Sequence, residues 1–438
     1  MGYKCAITRA VCLALIVIGS RALADDEGLR WSGDVDAGAN KSLRPIVFVH
    51  GFAGSGEQYE RAAKLFESNG YPPTWINVYD YNSTGPTGGA EPLDKFIDAV
   101  RARTGFDKID LIGHSRGTGV SKDYLSDPKR AAKVAHYANI AGRAAGNEGG
   151  VLTIVVGSKG DKIAGAGTAR EGAQHAVLEK PDHVGAATST ESFEHVFSFF
   201  NSGQAPKSLD IRPQEPVAVA GFAKFFPANV PVSGGTLEIY EVAAETGRRI
   251  HQASDATFTV DKEGRWGPFR AKPAQHYEFC LKAPGAARPV HYYREPYEHT
   301  DLLVYLKTRD PKAADTARLE KALNLSDDSS VLIVSQLNGA IVAGRDSLKV
   351  NGVELATDKI APEGGTKVGF YVFDANQNKK TDAMLPEGPL WRMPFITAAD
   401  VYLPTAKSES STLEFNGRVL HVPNWKGASE GTVFVTFD

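Results

Sequence analysis

The sequence predicts a mostly parallel β-sheet with helices on both faces, followed by an all-β region. The first part rests on residues 45–204, where short apolar strands alternate with amphipathic helices. The second part rests on the chain after residue 206, where strands follow one another through turns, and on the 44 glycines and 24 prolines, which indicate many turns. The length of 438 residues predicts two or three domains, and 42% hydrophobic with 23% charged residues is a globular composition.

Apolar runs in the first half are typical of strands buried on both faces of a parallel sheet. These runs are residues 45–50 (PIVFVH), 74–79 (TWINVY), 108–113 (KIDLIG), 134–140 and 151–157 (VLTIVVG). Apolar residues recur at helical spacing over residues 57–69, 93–103, 115–125 and 190–201. This alternation predicts one α/β domain over residues 25–204.

The second half shows strands of alternating sidedness instead, such as residues 236–242 (TLEIYEV). Two Asn-Gly pairs, at residues 351–352 and 416–417, predict hairpin turns because both positions accept positive φ. We expect one or two sandwich or barrel units here, with a first unit over residues 205–288 and a second over residues 289–438.

The N-terminus has the pattern of a secretory signal peptide over residues 1–24, with an apolar core too short to span a bilayer and an A-x-A cleavage site at residues 22–24. Cleavage would remove three of the 49 basic residues, leaving 46 against 52 acidic ones, a net charge of −6 instead of −3. It would leave Cys280 as the single cysteine, without an internal disulfide. We expect a secreted or periplasmic protein with no stable membrane anchor and no nucleic-acid partner; a retained signal anchor is the alternative.

Residues 113–117 (GHSRG) have the G-x-S-x-G pattern, at the end of an apolar strand and the start of a helix. In that context the pattern predicts a nucleophile elbow, a tight turn that lifts the Ser115 hydroxyl above the sheet. Small residues are needed two before and two after the serine because the turn is crowded. The alternative is an ordinary glycine-flanked turn between a strand and a helix.

A serine nucleophile needs a base and an orienting acid, which follow it along the chain in this topology. His183 lies in a loop between a strand and the last helix, the position of such a base, whereas His175 is predicted in a strand and His195 on a helix face. Asp161 follows the strand that ends at residue 157 and is the predicted acid; its rival Asp182 is adjacent to the base.

Two backbone N–H groups must face the oxyanion. We expect one from Arg116, directly after the nucleophile, and the other from Phe52 in the small-residue loop HGFAG at residues 50–54. His50 is expected to brace this loop, and the Arg116 side chain is expected in a surface or ion-pair role rather than on substrate.

The chain resembles the two-domain lipases of the Archaeoglobus type, in which an α/β-hydrolase domain precedes a β-rich lipid-binding domain. The resemblance covers nearly the whole predicted mature chain. The matching segments are VFVHGFAGS (residues 47–55), NGYP (69–72), DLIGHSRGT (110–118), RAAKVAH (130–136), HVGAATSTESFEHVFSFFN (183–201), HYEF (276–279), HYYREPY (291–297) and MPFITAADVYLP (393–404). It implies Ser115 as nucleophile, His183 as base, and Phe52 and Arg116 as oxyanion donors.

This sequence departs from the family pattern in two places. The position that matches the family's acid is Ala141, so the acid is expected to be relocated to Asp161. The family's long lid insertion corresponds to the short Gly/Pro-rich loop of residues 82–91 (NSTGPTGGAE), so we expect an open site with little or no lid.

The second half contains one candidate calcium loop, with Asp374, Asn376, Asn378 and Asp382 at its first, third, fifth and ninth positions. It lacks the usual glycine at the sixth position and the glutamate at the twelfth, and a polar turn is the alternative. No cofactor is otherwise expected.

These predictions describe an exported serine hydrolase that cleaves carboxylic esters through a Ser-His-Asp triad and an acyl-enzyme. The expected partner is a hydrophobic ester, either a lipid or a polyester. A polyester depolymerase, an amidase or an acyltransferase could use the same triad, and a non-catalytic exported binding protein could use the same scaffold.

Overall fold

The computed structural model describes residues 40, 42–85, 89–406 and 409–438. The predicted signal peptide lies outside the described residues, as do residues 86–88 of the Gly/Pro-rich loop of residues 82–91.

Six strands form the first sheet, and every pair of neighbours is parallel, as predicted. The strands are β1 (Ile46–Val49), β2 (Ile76–Tyr79), β3 (Ile109–His114), β4 (Val134–Ile140), β5 (Leu152–Ser158) and β6 (Gln174–Leu178). Their spatial order is β2-β1-β3-β4-β5-β6. The carboxyl ends of β3, β5 and β6 therefore meet at one edge, where the loops carrying the candidate site begin.

Helices cover both faces of this sheet and each face has its own apolar core. The helices are α1 (Glu60–Ser68), α2 (Ala90–Thr104), α3 (Arg116–Leu125), α4 (Pro128–Ala131), α5 (Gly185–Thr188) and α6 (Thr190–Phe200). Single 3₁₀ turns lie at Gly56–Tyr59, Pro73–Trp75 and Glu148–Gly150. On one face Phe66 of α1 packs against Phe193 and Phe197 of α6. On the other face Leu93 and Ile97 of α2 are fully buried.

The C-terminal region is mostly β structure in three sheets. Its strands are β7 (Val217–Phe225), β8 (Val230–Pro231), β9 (Thr236–Val242), β10 (Ala256–Thr259), β11 (Arg265–Ala271), β12 (His276–Lys282), β13 (Val290–Arg294), β14 (Asp301–Thr308), β15 (Leu332–Gln336), β16 (Leu348–Val350), β17 (Val353–Glu354), β18 (Gly369–Phe373), β19 (Ile396–Asp400), β20 (Ser410–Phe415), β21 (Arg418–Pro423) and β22 (Thr432–Phe437). The largest sheet has the order β10-β9-β12-β13-β22-β15-β18-β19. The two others are β11-β7-β14, with β8 beside β7, and β17-β16-β20-β21.

Both predicted Asn-Gly hairpins are confirmed: Asn351-Gly352 joins β16 to β17, Asn416-Gly417 joins β20 to β21, and all four residues have positive φ. The region is not purely β, because α7 (Ala314–Leu323) and a 3₁₀ turn at Leu390–Arg392 interrupt it. The predicted boundary between the two β units, at residue 288, falls between β12 and β13, which pair with each other. The division of the β region into these two units stays a prediction.

Buried ion pairs join the two halves of the chain. Lys64 of α1 lies 3.4 Å from Asp301 of β14 and also contacts the side chain of Asp438. Arg294 of β13 lies 2.6 Å from Glu60 of α1. Breaking a buried pair on one side leaves an uncompensated charge, which costs about 3–5 kcal/mol. These pairs therefore hold α1 against the β region and fix the relative position of the two halves.

Among the described residues, no helix combines the length and the apolar character that crossing a membrane requires.

Candidate active site

The segment GHSRG forms a strained turn between β3 and α3. Ser115 has φ 51° and ψ −118°, a conformation that L-residues rarely adopt and that is held here by its surroundings. A Cβ at Gly117 would lie 2.2 Å from the carbonyl oxygen of Val49, and one at Gly113 would lie 2.8 Å from Oγ of Ser121. Both glycines are therefore required by close packing, as the spacing predicted.

Ser115, His183 and Asp161 lie in one hydrogen-bonded line. Oγ of Ser115 is 2.9 Å from Nε2 of His183, and Nδ1 of His183 is 2.8 Å from Oδ2 of Asp161. The side chains of His183 and Asp161 are 4% and 0% exposed, so the contact between the imidazole and the carboxylate is shielded from water. An imidazole that donates from Nδ1 to the carboxylate has Nε2 available to accept the serine proton.

Asp161 is fixed by its own loop, which follows β5. Its Oδ1 accepts hydrogen bonds from the backbone N–H of Ile163 at 2.7 Å and of Ala164 at 3.0 Å. Burial acts to raise the pKa of Asp161, but the hydrogen bonds from His183 and from these backbone groups outweigh it and hold that pKa below its usual value. The carboxylate is thus ionised and oriented toward the imidazole.

The structure places the rival residues elsewhere. Asp182 turns away from the imidazole and accepts from the backbone N–H of Val184 and Gly185 at 3.0 and 2.9 Å. His175 is exposed and contacts the carbonyl of Ala166, and His195 is exposed on α6. Neither histidine approaches the nucleophile.

The loop of residues 50–54 lies directly against the elbow, and we call it the oxyanion loop because it carries Phe52, the predicted second oxyanion donor. A Cβ at Gly51 would lie 3.1 Å from Cβ of Ser115, so glycine is needed for this approach. The Phe52 side chain is 43% exposed and packs on Phe395 of the C-terminal region, with ring centroids 6.5 Å apart.

The Arg116 side chain contacts the Gly/Pro-rich loop of residues 82–91. Its Nη2 donates to the carbonyl of Gly85 at 2.8 Å, in the described part of that loop. This contact ties the loop to the first turn of α3, and the surface or ion-pair role expected for the Arg116 side chain stays a prediction.

Two buried histidines, His50 and His114, contact the loops that form the site. His50 lies 2.9 Å from the carbonyl of Gly51 through Nδ1, and burial lowers its pKa. His114, which sequence reasoning did not single out, lies 2.9 Å from the carbonyl of His183 through Nε2 and 2.7 Å from Nε2 of Gln58 through Nδ1. Burial and the neighbouring His183 lower the pKa of His114 to about 3, so it is a neutral link between the elbow and the loop of His183.

Ala141, at the position that matches the acid of the resembled family, is buried directly after β4 with φ 48°. Its methyl group offers no carboxylate, and Asp161 on the loop after the next strand supplies the contact to His183 instead.

In the candidate calcium loop the amide groups face carboxylates. Nδ2 of Asn376 lies 3.0 Å from Asp382 and 2.9 Å from Asp400, and Nδ2 of Asn378 lies 2.9 Å from Asp382. Asp374 is buried at the start of the loop. Calcium binding here stays a prediction.

Solved structures similar to this chain include the naproxen esterase of Bacillus subtilis, with 13% identity and a TM-score of 0.29, covering 37% of this chain and 85% of that chain. Another is lipase B of Aspergillus fumigatus, with 13% identity and a TM-score of 0.29, covering 40% of this chain and 57% of that chain.

Curated relatives include two triacylglycerol lipases. The one from Burkholderia plantarii is 31% identical over 129 residues, which are 27% of this chain and 35% of the relative. The one from Pseudarthrobacter phenanthrenivorans is 32% identical over 89 residues, 19% of this chain and 28% of the relative. The match thus spans about a third of the length of these relatives.

Three family models match separate parts of the chain. The α/β hydrolase fold matches residues 44–146, a lipase C-terminal domain matches residues 215–311, and a further C-terminal domain matches residues 319–438. The first range contains the oxyanion loop and the elbow, and the second begins just before β7. The chain therefore has an α/β-hydrolase fold, followed by a C-terminal β region in which residues 215–311 match a lipase C-terminal domain.

Proposed function

We propose that this protein is an exported serine hydrolase that cleaves hydrophobic carboxylic esters. The observation that carries the proposal is the line from Ser115 through His183 to Asp161, with the serine on a strained turn at the carboxyl end of a parallel strand. Each member has the hydrogen-bond partner that its proposed role requires.

In the proposed reaction Oγ of Ser115 attacks the ester carbonyl carbon while Nε2 of His183 takes its proton. The negative charge that develops on the carbonyl oxygen is stabilised by the backbone N–H groups of Phe52 and Arg116. Asp161 holds the imidazole in the productive orientation and stabilises its cation. The imidazolium then protonates the leaving alcohol, and an acyl-enzyme on Ser115 remains.

Water completes the cycle in the second half of the reaction. His183 takes a proton from a water molecule, the resulting hydroxide attacks the acyl-enzyme carbonyl, and the acid leaves as the proton returns to Ser115. An alcohol in place of water would give acyl transfer with the same groups. None of these steps requires an organic cofactor.

A hydrophobic substrate is supported by the exposed Phe52 ring at the site and by the lipase-type C-terminal domain beside it. Two of the curated relatives are triacylglycerol lipases, which favours a lipid ester. The loop of residues 82–91 is too short to cover much apolar surface, so esters of short acids and insoluble polyesters are further candidate substrates. The signal-peptide pattern supports secretion or a periplasmic location.

The proposal is tested with matched p-nitrophenyl esters and p-nitroanilides of the same acids on purified protein. We expect faster hydrolysis of the ester at every chain length, and a series from acetate to palmitate gives the preferred acid. A faster rate on the anilide would indicate an amidase. Absence of turnover on every ester would indicate a binding protein and contradict the proposal.

A further inference from the structure

Two of the loops that carry the candidate site contact the C-terminal β region. One is the oxyanion loop, and the other is the base loop, which we define as residues 181–185 around His183. Each contact is made by a side chain that lies far from its partner along the chain, Asn229 for the oxyanion loop and Arg345 for the base loop.

The base loop is held through Asp182, the residue next to His183. Its Oδ1 accepts from two N–H groups of its own loop, as described above. Its Oδ2 accepts from Nη1 of Arg345 at 3.0 Å and from the backbone N–H of Ala340 at 3.2 Å. Nη2 of Arg345 also donates to the carbonyl of Ala340. One buried carboxylate therefore joins the base loop to residues 340–345 of the β region.

The base loop and residues 338–339 of the β region lie close together beside Asp182. A Cβ at Gly339, whose φ is 134°, would lie 3.1 Å from Oδ2 of Asp182. A Cβ at Gly185 would lie 3.7 Å from the carbonyl oxygen of Asn338. The base loop thus lies in direct contact with residues 338–339 of the β region.

The oxyanion loop is held through Asn229, in the turn between β7 and β8. This asparagine is 6% exposed and has φ 57°. Its Nδ2 donates to the carbonyl of Gly54 at 2.8 Å and to the carbonyl of Tyr81 at 3.1 Å, and it lies 3.3 Å from Nε2 of His50. The amide therefore fixes the end of the oxyanion loop and the histidine behind it.

We propose that Arg345 and Asn229 are positioning residues, through which the β region holds the base and the oxyanion donors at the separation that ester cleavage needs. The inference rests on the proposed function, because it concerns the same Ser115 site. Small displacements of reacting groups reduce rates strongly, by up to roughly 100-fold for about 1 Å. The β region is then part of the catalytic apparatus as well as a surface for substrate.

The test compares Arg345→Met and Asn229→Gly in the full chain with matched controls. Arg288→Met removes an Arg–Glu320 pair within the β region, and Asn351→Gly removes the amide of another asparagine with positive φ, which contacts Ser411 and Thr412. Glycine keeps the left-handed backbone accessible, so only the amide contact is lost. The readouts are kcat and KM on p-nitrophenyl butyrate and the urea midpoint of unfolding.

We expect kcat to fall about 10-fold in Arg345→Met and in Asn229→Gly, with KM within about twofold of wild type. The controls should keep the wild-type kcat. Arg345→Lys, which keeps one charged donor, should recover part of the loss. Asp182→Asn and Arg345→Met remove the same contact, so the double variant should lose less than the product of the two single losses.

A kcat within twofold of the controls in both variants would overturn the inference. A fall in kcat that is fully explained by the fraction of unfolded protein in each variant would overturn it as well. The wild-type rate separates the two proposals. An inactive wild type overturns the proposed function and this inference together, whereas an active wild type with unaffected variants overturns this inference only.

Discussion

Nδ1 of His183 faces Oδ2 of Asp161 at 2.8 Å, although Asp182 is its neighbour along the chain. Asp182 is occupied by the backbone of its own loop and by Arg345. In the proposed mechanism this arrangement gives the two carboxylates different tasks: Asp161 orients the imidazole directly, and Asp182 holds the loop that carries it.

The first prediction compares the isosteric variants Asp161→Asn and Asp182→Asn. Asp161→Asn should lower kcat by about 10⁴, because an amide stabilises the wrong tautomer of His183 and cannot balance its cation. Asp182→Asn should cost only about 10-fold, because it loosens the loop without changing the tautomer. Steady-state kinetics on p-nitrophenyl butyrate give both values. The reverse order of the two losses would make Asp182 the acid.

A second prediction concerns two glycines of α3. Gly117→Ala would place a methyl group 2.2 Å from the carbonyl oxygen of Val49, whereas Gly119→Ala meets nothing within 4 Å. Gly117→Ala should lower the free energy of unfolding by about 1–3 kcal/mol, as overpacking does, and should reduce activity. Gly119→Ala should raise the free energy of unfolding by about 0.5–1 kcal/mol, because alanine has a better helix propensity than glycine.

Urea denaturation of both variants beside wild type measures these differences. If Gly117→Ala were as stable and as active as Gly119→Ala, Gly117 would not be closely packed on β1, and this account of the elbow would be contradicted.

A third prediction is a fall in stability between neutral and alkaline pH that comes from His291. This buried histidine lies 2.7 Å from Glu278, which also pairs with Arg249. Burial acts to lower the pKa of His291, but the contacts with Cys280 and Glu278 outweigh it and raise that pKa to about 9. Because the folded pKa exceeds the unfolded value of about 6.5, the stabilisation is fully present below pH ~6.5 and is lost as the pH rises through about 9.

The lost contribution should be on the order of 3 kcal/mol in the free energy of unfolding. Urea unfolding of wild type and His291→Gln at pH 6 and pH 9.5 measures it as the difference between the two pH dependences. Equal pH dependence in the two proteins would mean that His291 is not a charged partner of Glu278.

A fourth prediction uses the exposed ring of Phe52, which contacts Phe395 beside the site. Phe52→Ala keeps the backbone N–H proposed for the oxyanion and removes apolar surface. The ratio of kcat/KM for octanoate over acetate should fall about 10-fold, which corresponds to about 1.4 kcal/mol of lost apolar contact, while kcat on acetate stays within threefold. Because Phe52 is 43% exposed, its truncation should change Tm little. An equal fall in kcat/KM on both esters would indicate that the Phe52 ring affects the reaction step and not the binding of the acyl chain.

The parts of this fold that follow from local patterns could be predicted from the sequence. The parallel sheet follows from apolar runs alternating with helical spacing, and the elbow from small residues around Ser115. His183 and Asp161 could be named because the carboxyl ends of parallel strands collect loops at one edge. Both Asn-Gly hairpins followed from turn chemistry.

The contacts between the halves could not be predicted in this way. Asn229 reaches Gly54 across 175 positions and Arg345 reaches Asp182 across 163, and neither side chain has a local pattern that indicates its partner. The parallel pairing of β7 with β14 and of β13 with β22 depends on tertiary packing. The helix α7 was missed because its surroundings suggested only strands and turns.

Covalent labelling with a fluorophosphonate tests the central claim most directly, because the reagent forms a stable P–O bond with an activated serine and releases fluoride. Intact-mass and peptide analysis of wild type should show one adduct per chain, on Ser115, and Ser115→Ala should remain unmodified under the same conditions. A wild type that stays unlabelled, or an adduct that persists in Ser115→Ala, would contradict the assignment of Ser115 as the nucleophile.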